Sequence, residues 1–94
     1  MPNSSPPPSF RPTARVWLVD DSPLHVTIAQ QALSSEYTVE TFGDGPSVLE
    51  ALAQRGYPEL LILDWHMPGL TGLEVCSFVR QTKDSGELPV LIMT

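Results

Sequence analysis

The fold is indicated most clearly by residues 60–69, LLILDWHMPG, in which an apolar run ends at an aspartate and a Pro-Gly turn follows. Short apolar runs that stop at turn residues are typical of strands buried on both faces of a sheet. We therefore predict a strand over Leu60–Leu63 that carries Asp64 at its carboxyl end.

Further strands are predicted on both sides of this one in the sequence. Residues 14–19, ARVWLV, form another apolar run, which stops at two aspartates. Residues 37–42, YTVETF, are rich in the β-branched and aromatic side chains that strands favour. Residues 89–93, PVLIM, form the last apolar run, and Thr94 follows it. The sequence therefore predicts four short strands.

Helical patterns occupy the intervals between these strands. A first helix is expected from Pro23 to about Ser34, because a cap oxygen and a proline precede its first turn. The turn GDGP at residues 43–46 opens a second helix, which ends at Gly56. Thr71 and Glu74 have the capping-box spacing that starts a third.

The side chains of these helices that should face the core can be predicted from their spacing. For the first helix they are Leu24, Ile28, Ala32 and Leu33, and for the second Val48, Leu49, Leu52 and Ala53. For the third they are Leu73, Cys76 and Val79 or Phe78.

The alternation β-α-β-α-β-α-β with buried strands predicts an α/β fold, a parallel sheet wound with helices on both sides. Right-handed crossovers bring the carboxyl ends of the first and third strands to the same edge. Ligands bind such sheets at that edge, where the strand order reverses. We therefore expect Asp20, Asp21 and Asp64 to converge there.

Three carboxylates at one edge repel one another unless a positive charge compensates them. Mg²⁺ prefers such oxygen ligands, so the cluster predicts a magnesium site at Asp20, Asp21 and Asp64. The alternative is that these acids cap helices, as Asp21 alone could do. A carboxylate beside Mg²⁺ can also attack phosphorus, which makes Asp64 a candidate phosphoacceptor. The Thr94 hydroxyl could donate to a phosphoryl oxygen or be an ordinary strand-end residue.

The charge and composition of the chain indicate which partners and which cellular location to expect. The formal net charge of the chain is −6, which disfavours direct binding to nucleic acid. Cys76 is the single cysteine of the sequence, so a reducing, cytoplasmic compartment is expected. Residues 1–14 are rich in proline and serine and are expected to be a disordered tail rather than a signal peptide. No membrane span is expected.

Taken together, residues 15–94 resemble the receiver domain of bacterial two-component response regulators. The resemblance is carried by Asp20-Asp21-Ser22-Pro23, by LLILDWHMP at residues 60–68, by Gly72 and by PVLIMT at residues 89–94. It implies a flavodoxin-like fold with strand order 2-1-3-4-5.

The resemblance also implies roles for individual residues. Asp64 would be the phosphoacceptor, and Thr94 would be the switch residue whose hydroxyl turns toward the phosphoryl group. Mg²⁺ would be bound by Asp20, Asp21 and Asp64 with the backbone carbonyl of His66. The domain would take its phosphoryl group from a sensor histidine kinase or a phosphotransfer protein and act on a downstream output domain or protein, without being a turnover enzyme.

The sequence departs from the family pattern after Thr94. Receiver domains continue through another helix, strand and helix and carry a lysine there; Lys83 cannot be that lysine, because it precedes the fourth strand. We therefore expect that the chain is part of a longer protein or that it forms a homodimer, in which a second copy completes the sheet at the edge of the fourth strand.

Two other functions share features of this sequence. The alternative within the same fold is a receiver-like interaction or assembly module with impaired phosphotransfer. A hydrolase of the haloacid dehalogenase type would need an acid two residues after Asp64, where this sequence has His66.

Overall fold

The computed structural model describes residues 14–83 and 87–93. Strands and helices alternate along these residues. They are β1 (Arg15–Val19), α1 (Pro23–Leu33), β2 (Thr38–Phe42), α2 (Gly45–Arg55), β3 (Leu60–Asp64), α3 (Gly72–Arg80) and β4 (Val90–Met93). The predicted order and type of these elements are confirmed.

The strands form one parallel sheet with the order β2-β1-β3-β4. From β1 the chain first moves to β2 on one side and then crosses to β3 on the other. The strand order therefore reverses between β1 and β3, which places the ligand-binding crevice of this fold type at their carboxyl ends. The predicted α/β flavodoxin-like fold is confirmed.

Side-chain caps fix where each helix begins. Ser22 caps α1 by accepting the backbone N–H of His25 at 3.4 Å, and Asp44 caps α2 by accepting that of Ser47 at 2.8 Å. Thr71 and Glu74 form the predicted capping box of α3. Because Ser22 caps α1, Asp21 is not needed as a cap.

One face of the sheet is closed by α2 and α3. Its core consists of buried residues from the strands, both helices, the loop after β3 and the segment before β4: Trp17, Val19, Val48, Ala51, Leu52, Leu61, Leu63, Met67, Val75, Val79 and Leu88. Each fully buried aliphatic side chain of such a core contributes about 1.5–3 kcal/mol.

The inward face of α3 differs from the prediction. Val75 and Val79 are buried, Cys76 is half-buried, and Leu73 and Phe78 are exposed. The reason is the start of the helix: Gly72 lies so close to the backbone of β3 that an added Cβ would be 2.3 Å from the carbonyl oxygen of Asp64. This approach sets the rotation of α3, and Val75 and Val79 then share the buried face with Gly72.

The other face of the sheet is covered by α1 and is more open. Val16, Leu18 and Ile62 are buried there against Val26, Ala29 and Leu33 of α1. The predicted inward positions Leu24 and Ile28 are wrong, since their side chains are 66% and 56% exposed.

The exposure of this face continues onto β4, where Leu91 is 52% exposed. Helix α1 contacts β2 and packs on residues of β1 and β3, whereas Leu91 of β4 is left half exposed among the described residues. No helix in the described part of the chain is long and apolar enough to cross a membrane.

Candidate functional site

The three acids predicted to converge lie together at the carboxyl edge of the sheet. One carboxylate oxygen from each of Asp20, Asp21 and Asp64 lies within 4.8 Å of the others. Asp20 is buried, Asp21 is exposed and Asp64 is half-buried. Asp20 follows the last residue of β1, and Asp64 is the last residue of β3, so the reversal of strand order brings them together.

Asp20 is held by two contacts to its carboxylate. The backbone N–H of Ser22 donates to Oδ1 at 2.9 Å, and Nδ1 of His25 lies 3.3 Å from Oδ2. Its own backbone N–H donates to the carbonyl of Phe42 at 3.0 Å, which ties the end of β1 to β2. Asp20 is therefore fixed in both backbone and side chain.

Asp64 is positioned by the turn that follows β3. The backbone N–H of His66 donates to Oδ1 of Asp64 at 3.3 Å. The backbone N–H of Trp65 donates to the carbonyl of Met93 at 2.8 Å, which ties this turn to β4. Gly72 packs against the carbonyl of Asp64 from the other side. These contacts hold Asp64 at the rim with its side chain partly accessible.

His66 and Thr94 are the other residues that the sequence assigns to the site. The side chain of His66 is exposed beside the acids, and its predicted role concerns its backbone carbonyl. Thr94 lies outside the described residues, as do residues 1–13 of the predicted tail; Met93, which precedes Thr94, pairs with Asp64 in the sheet.

The acids of the rim have no arginine or lysine partner among the described residues. The arginine and lysine ion pairs of residues 14–83 and 87–93 involve Glu40, Glu59 and Glu87 instead. At an effective dielectric constant of about 20, like charges about 5 Å apart repel by roughly 3 kcal/mol per pair, and by less where water screens an exposed side chain such as that of Asp21. The rim therefore favours a bound cation, and its three carboxylate oxygens are the donors that Mg²⁺ prefers.

A cavity of about 540 Å³ lies against this rim. The three acids and both histidines line one part of it, and Ile28, Ala29 and Met93 line the other. The acids therefore face a space open to a ligand or partner group rather than the closed core.

His25 is the residue whose place in the site the sequence did not predict. His25 lies in the first turn of α1, and its side chain is largely exposed. Its contact with Asp20 depends on a side-chain rotamer, which leaves no pattern in the sequence.

Comparison with protein families gives one match over most of the chain. The model described as "Response regulator receiver domain" matches residues 16–94. Among curated proteins, the response regulator PleD of Caulobacter vibrioides is 36% identical over 83 residues, which are 87% of this chain and 18% of PleD. The chain thus spans under a fifth of the length of that relative.

Solved structures give the same result. The response regulator TrrA of Thermotoga maritima in complex with Mg(2+)-BeF matches with a TM-score of 0.76 and 31% identity, over 84% of this chain and 67% of that chain. A structure of the histidine kinase ThkA in complex with TrrA matches with a TM-score of 0.76 and 32% identity, over 86% of this chain and 68% of that chain.

Proposed function

The chain belongs to the response regulator receiver domain family, and from that premise we propose that its Asp64 accepts a phosphoryl group in a magnesium-dependent reaction. Receiver domains of this family are phosphoacceptor signalling domains of two-component systems. The observation that carries the proposal is the grouping of Asp64 with Asp20 and Asp21 within 4.8 Å, without an arginine or lysine partner among the described residues.

In the proposed reaction the Asp64 carboxylate is the nucleophile. Its Oδ1 accepts the His66 N–H, which leaves Oδ2 as the oxygen for attack. Oδ2 forms a bond to phosphorus while the bond from phosphorus to the donor nitrogen of a phosphohistidine breaks, and the electron pair stays on that nitrogen. The leaving imidazole is neutral because its other ring nitrogen carries a proton, and the second product is an acyl phosphate on Asp64.

Mg²⁺ fits the donor set of the rim. Asp20, Asp21 and Asp64 would hold it, with the backbone carbonyl of His66 as the further protein ligand. When bound, the ion supplies positive charge that neutralises the transferring phosphoryl group. The backbone N–H of Ser22 already fixes the Asp20 carboxylate. The Asp21 carboxylate is exposed and has no arginine or lysine partner among the described residues.

We further propose which partners the chain binds and which residue responds to phosphorylation. TrrA has been solved both with Mg(2+)-BeF and with a histidine kinase, which supports the same two kinds of partner for this chain. Thr94 is proposed as the switch hydroxyl because it follows the residue paired with Asp64. A cytoplasmic setting, a downstream output domain or protein and the absence of direct nucleic-acid binding complete the proposal.

The test is the intact mass of the purified chain after incubation with Mg²⁺ and a small-molecule phosphodonor. We expect the gain of a single phosphoryl group, lost without Mg²⁺ and in Asp64→Asn. The matched control is Glu50→Gln on the exposed side of α2, which should retain the gain. An unmodified chain that is folded by circular dichroism, or a phosphoryl group on the Asp64→Asn variant, would contradict the proposal.

A second candidate function is an interaction module that assembles through the open face. Leu24, Ile28 and Leu91 are exposed on the α1 side of the sheet, and β4 pairs with β3 alone among the described strands. Pairing of β4 with a second copy would make a homodimer. This function would be favoured over the first if sedimentation analysis shows a dimer and the same chain gains no phosphoryl group from the phosphodonor.

A further inference from the structure

We propose that His25 is a positioning residue that holds the Asp20 carboxylate in the orientation needed to bind a divalent cation. The inference rests on the magnesium site proposed above and adds to it a residue outside the acid cluster. It is carried by the contact of 3.3 Å between Nδ1 of His25 and Oδ2 of Asp20.

The Asp20 carboxylate needs such a partner because it is buried. Its side chain is 2% exposed, so little water reaches its two oxygens. The backbone N–H of Ser22 satisfies Oδ1 at 2.9 Å. A buried carboxylate oxygen without a donor is costly, and the His25 imidazole is the group placed to supply one to Oδ2.

The local structure explains why residue 25 can reach this oxygen. Ser22 caps α1 and accepts the backbone N–H of His25, so His25 lies in the first turn of the helix. Side chains of a helix tilt toward its N-terminus, and the N-terminus of α1 lies at the acid rim. The imidazole is therefore directed back toward Asp20, while 65% of it stays exposed to solvent.

This exposure argues against a packing role for His25. A side chain that filled the core would be buried, whereas the His25 ring contacts the site at its Nδ1 edge and leaves most of its surface in water. With a proton on Nδ1, the ring donates to the carboxylate and fixes its rotation. His25 is then a donor to a metal-binding carboxylate and not a ligand itself.

Hydrogen-bond partners of metal-binding groups orient those groups, and their loss typically costs 10–100-fold in metal affinity. We therefore expect His25→Ala to raise the magnesium Kd about 10-fold or more. His25→Asn should restore much of the affinity, because its amide nitrogen can occupy the place of Nδ1 and donate to Oδ2. Thr27→Ala, an exposed position in the same helix, is the matched control and should leave the Kd unchanged.

The affinities can be followed through the fluorescence of Trp65, which is adjacent to Asp64 and 37% exposed. A second readout needs no metal: the ¹⁵N shifts of the His25 ring in the magnesium-free chain should show the tautomer with its proton on Nδ1. Thermal melting of each variant shows that the chain is folded.

The outcomes separate the two proposals. A wild-type Kd that is retained in folded His25→Ala, or a His25 ring with its proton on Nε2, overturns the positioning role and leaves the magnesium site standing. Loss of affinity in His25→Ala that His25→Asn does not restore also overturns it, because the effect is then not that of a donor. A wild-type chain that is folded and binds no magnesium overturns both.

Discussion

Two groups of acidic side chains in this chain are compensated in different ways. Glu40 and Glu59 each bind an arginine, Arg55 and Arg15 respectively. The three aspartates at the carboxyl edge of the sheet have no such partner among the described residues and face a cavity. At Glu40 and Glu59 the chain supplies the counter-charge, whereas for the three rim aspartates we propose that a bound cation supplies it.

The arginine pairs have measurable effects on the acids that they bind. The side-chain hydrogen bond from Arg55 holds the pKa of Glu40 below its ordinary value. The pKa of Glu59 is also lowered, chiefly by the backbone N–H of Arg15, which donates to Oε1 of Glu59, and further by the Arg15 side chain. Both carboxylates are therefore stabilised in their charged form by groups of the chain itself, without a metal ion.

The largest expected difference between the two groups is their response to magnesium. A ligand at about 100 times its Kd stabilises the folded state by about 2.7 kcal/mol. Magnesium should therefore raise the unfolding temperature of the wild type and of Glu40→Gln, and should have little effect on Asp21→Asn. Differential scanning calorimetry measures these shifts. Equal stabilisation of Asp21→Asn and the wild type would remove the distinction between the rim and the paired acids.

Without magnesium, neutralising an acid should have opposite effects in the two groups. Asp21→Asn relieves repulsion at the rim and should increase the free energy of unfolding by roughly 1 kcal/mol. Glu40→Gln removes the partner of Arg55 and should decrease it. Urea unfolding in the presence of a chelator gives both values. A decrease in both variants would show that the rim acids are compensated within the chain.

The smallest expected effect is a dependence of stability on pH that arises from Glu59. Because its pKa is lower in the folded chain, its contribution is present above the ordinary glutamate pKa of about 4.3 and is lost as the pH falls through the folded value. Discounted for its exposure to water, this amounts to about 0.2–1 kcal/mol.

Two variants distinguish the causes of that dependence. Glu59→Gln should reduce the slope, and the part that remains comes from other acids with lowered pKa values, such as Glu40. Arg15→Met should retain part of the Glu59 contribution, because the backbone N–H of residue 15 is the largest single cause of the lowered pKa. Urea unfolding at several pH values between about 3 and 6, a range that spans the ordinary glutamate pKa, measures how the free energy of unfolding changes with pH. A wild-type slope that is unchanged in Glu59→Gln would show that other groups cause it.

The sequence was sufficient for the features that follow from topology. Strands β1 and β3 end where an apolar run meets an aspartate, and parallel strands with right-handed connections must bring Asp20 and Asp64 to one edge. The caps at Ser22, Asp44 and Thr71 are local in sequence, so the helix starts were predictable as well.

The rotation of α1 and α3 about their axes was not predictable in the same way, although α2 buries Val48 and Leu52 as predicted. Leu24 and Ile28 have helical spacing, yet α1 packs through Val26, Ala29 and Leu33. Apolar spacing shows that a helix has an apolar stripe, but the covering layers decide which part of the stripe is buried. The contact of His25 with Asp20 likewise depends on packing and rotamer rather than on pattern.

The central claim is that the uncompensated acids at the rim bind a divalent cation, and calorimetric titration of magnesium into the chain tests it most directly. We predict a single binding site in the wild type and in Glu40→Gln, and at least about 10-fold weaker binding in Asp21→Asn and Asp64→Asn. A folded wild-type chain that binds no magnesium, or binding of equal affinity in all four proteins, would contradict the account.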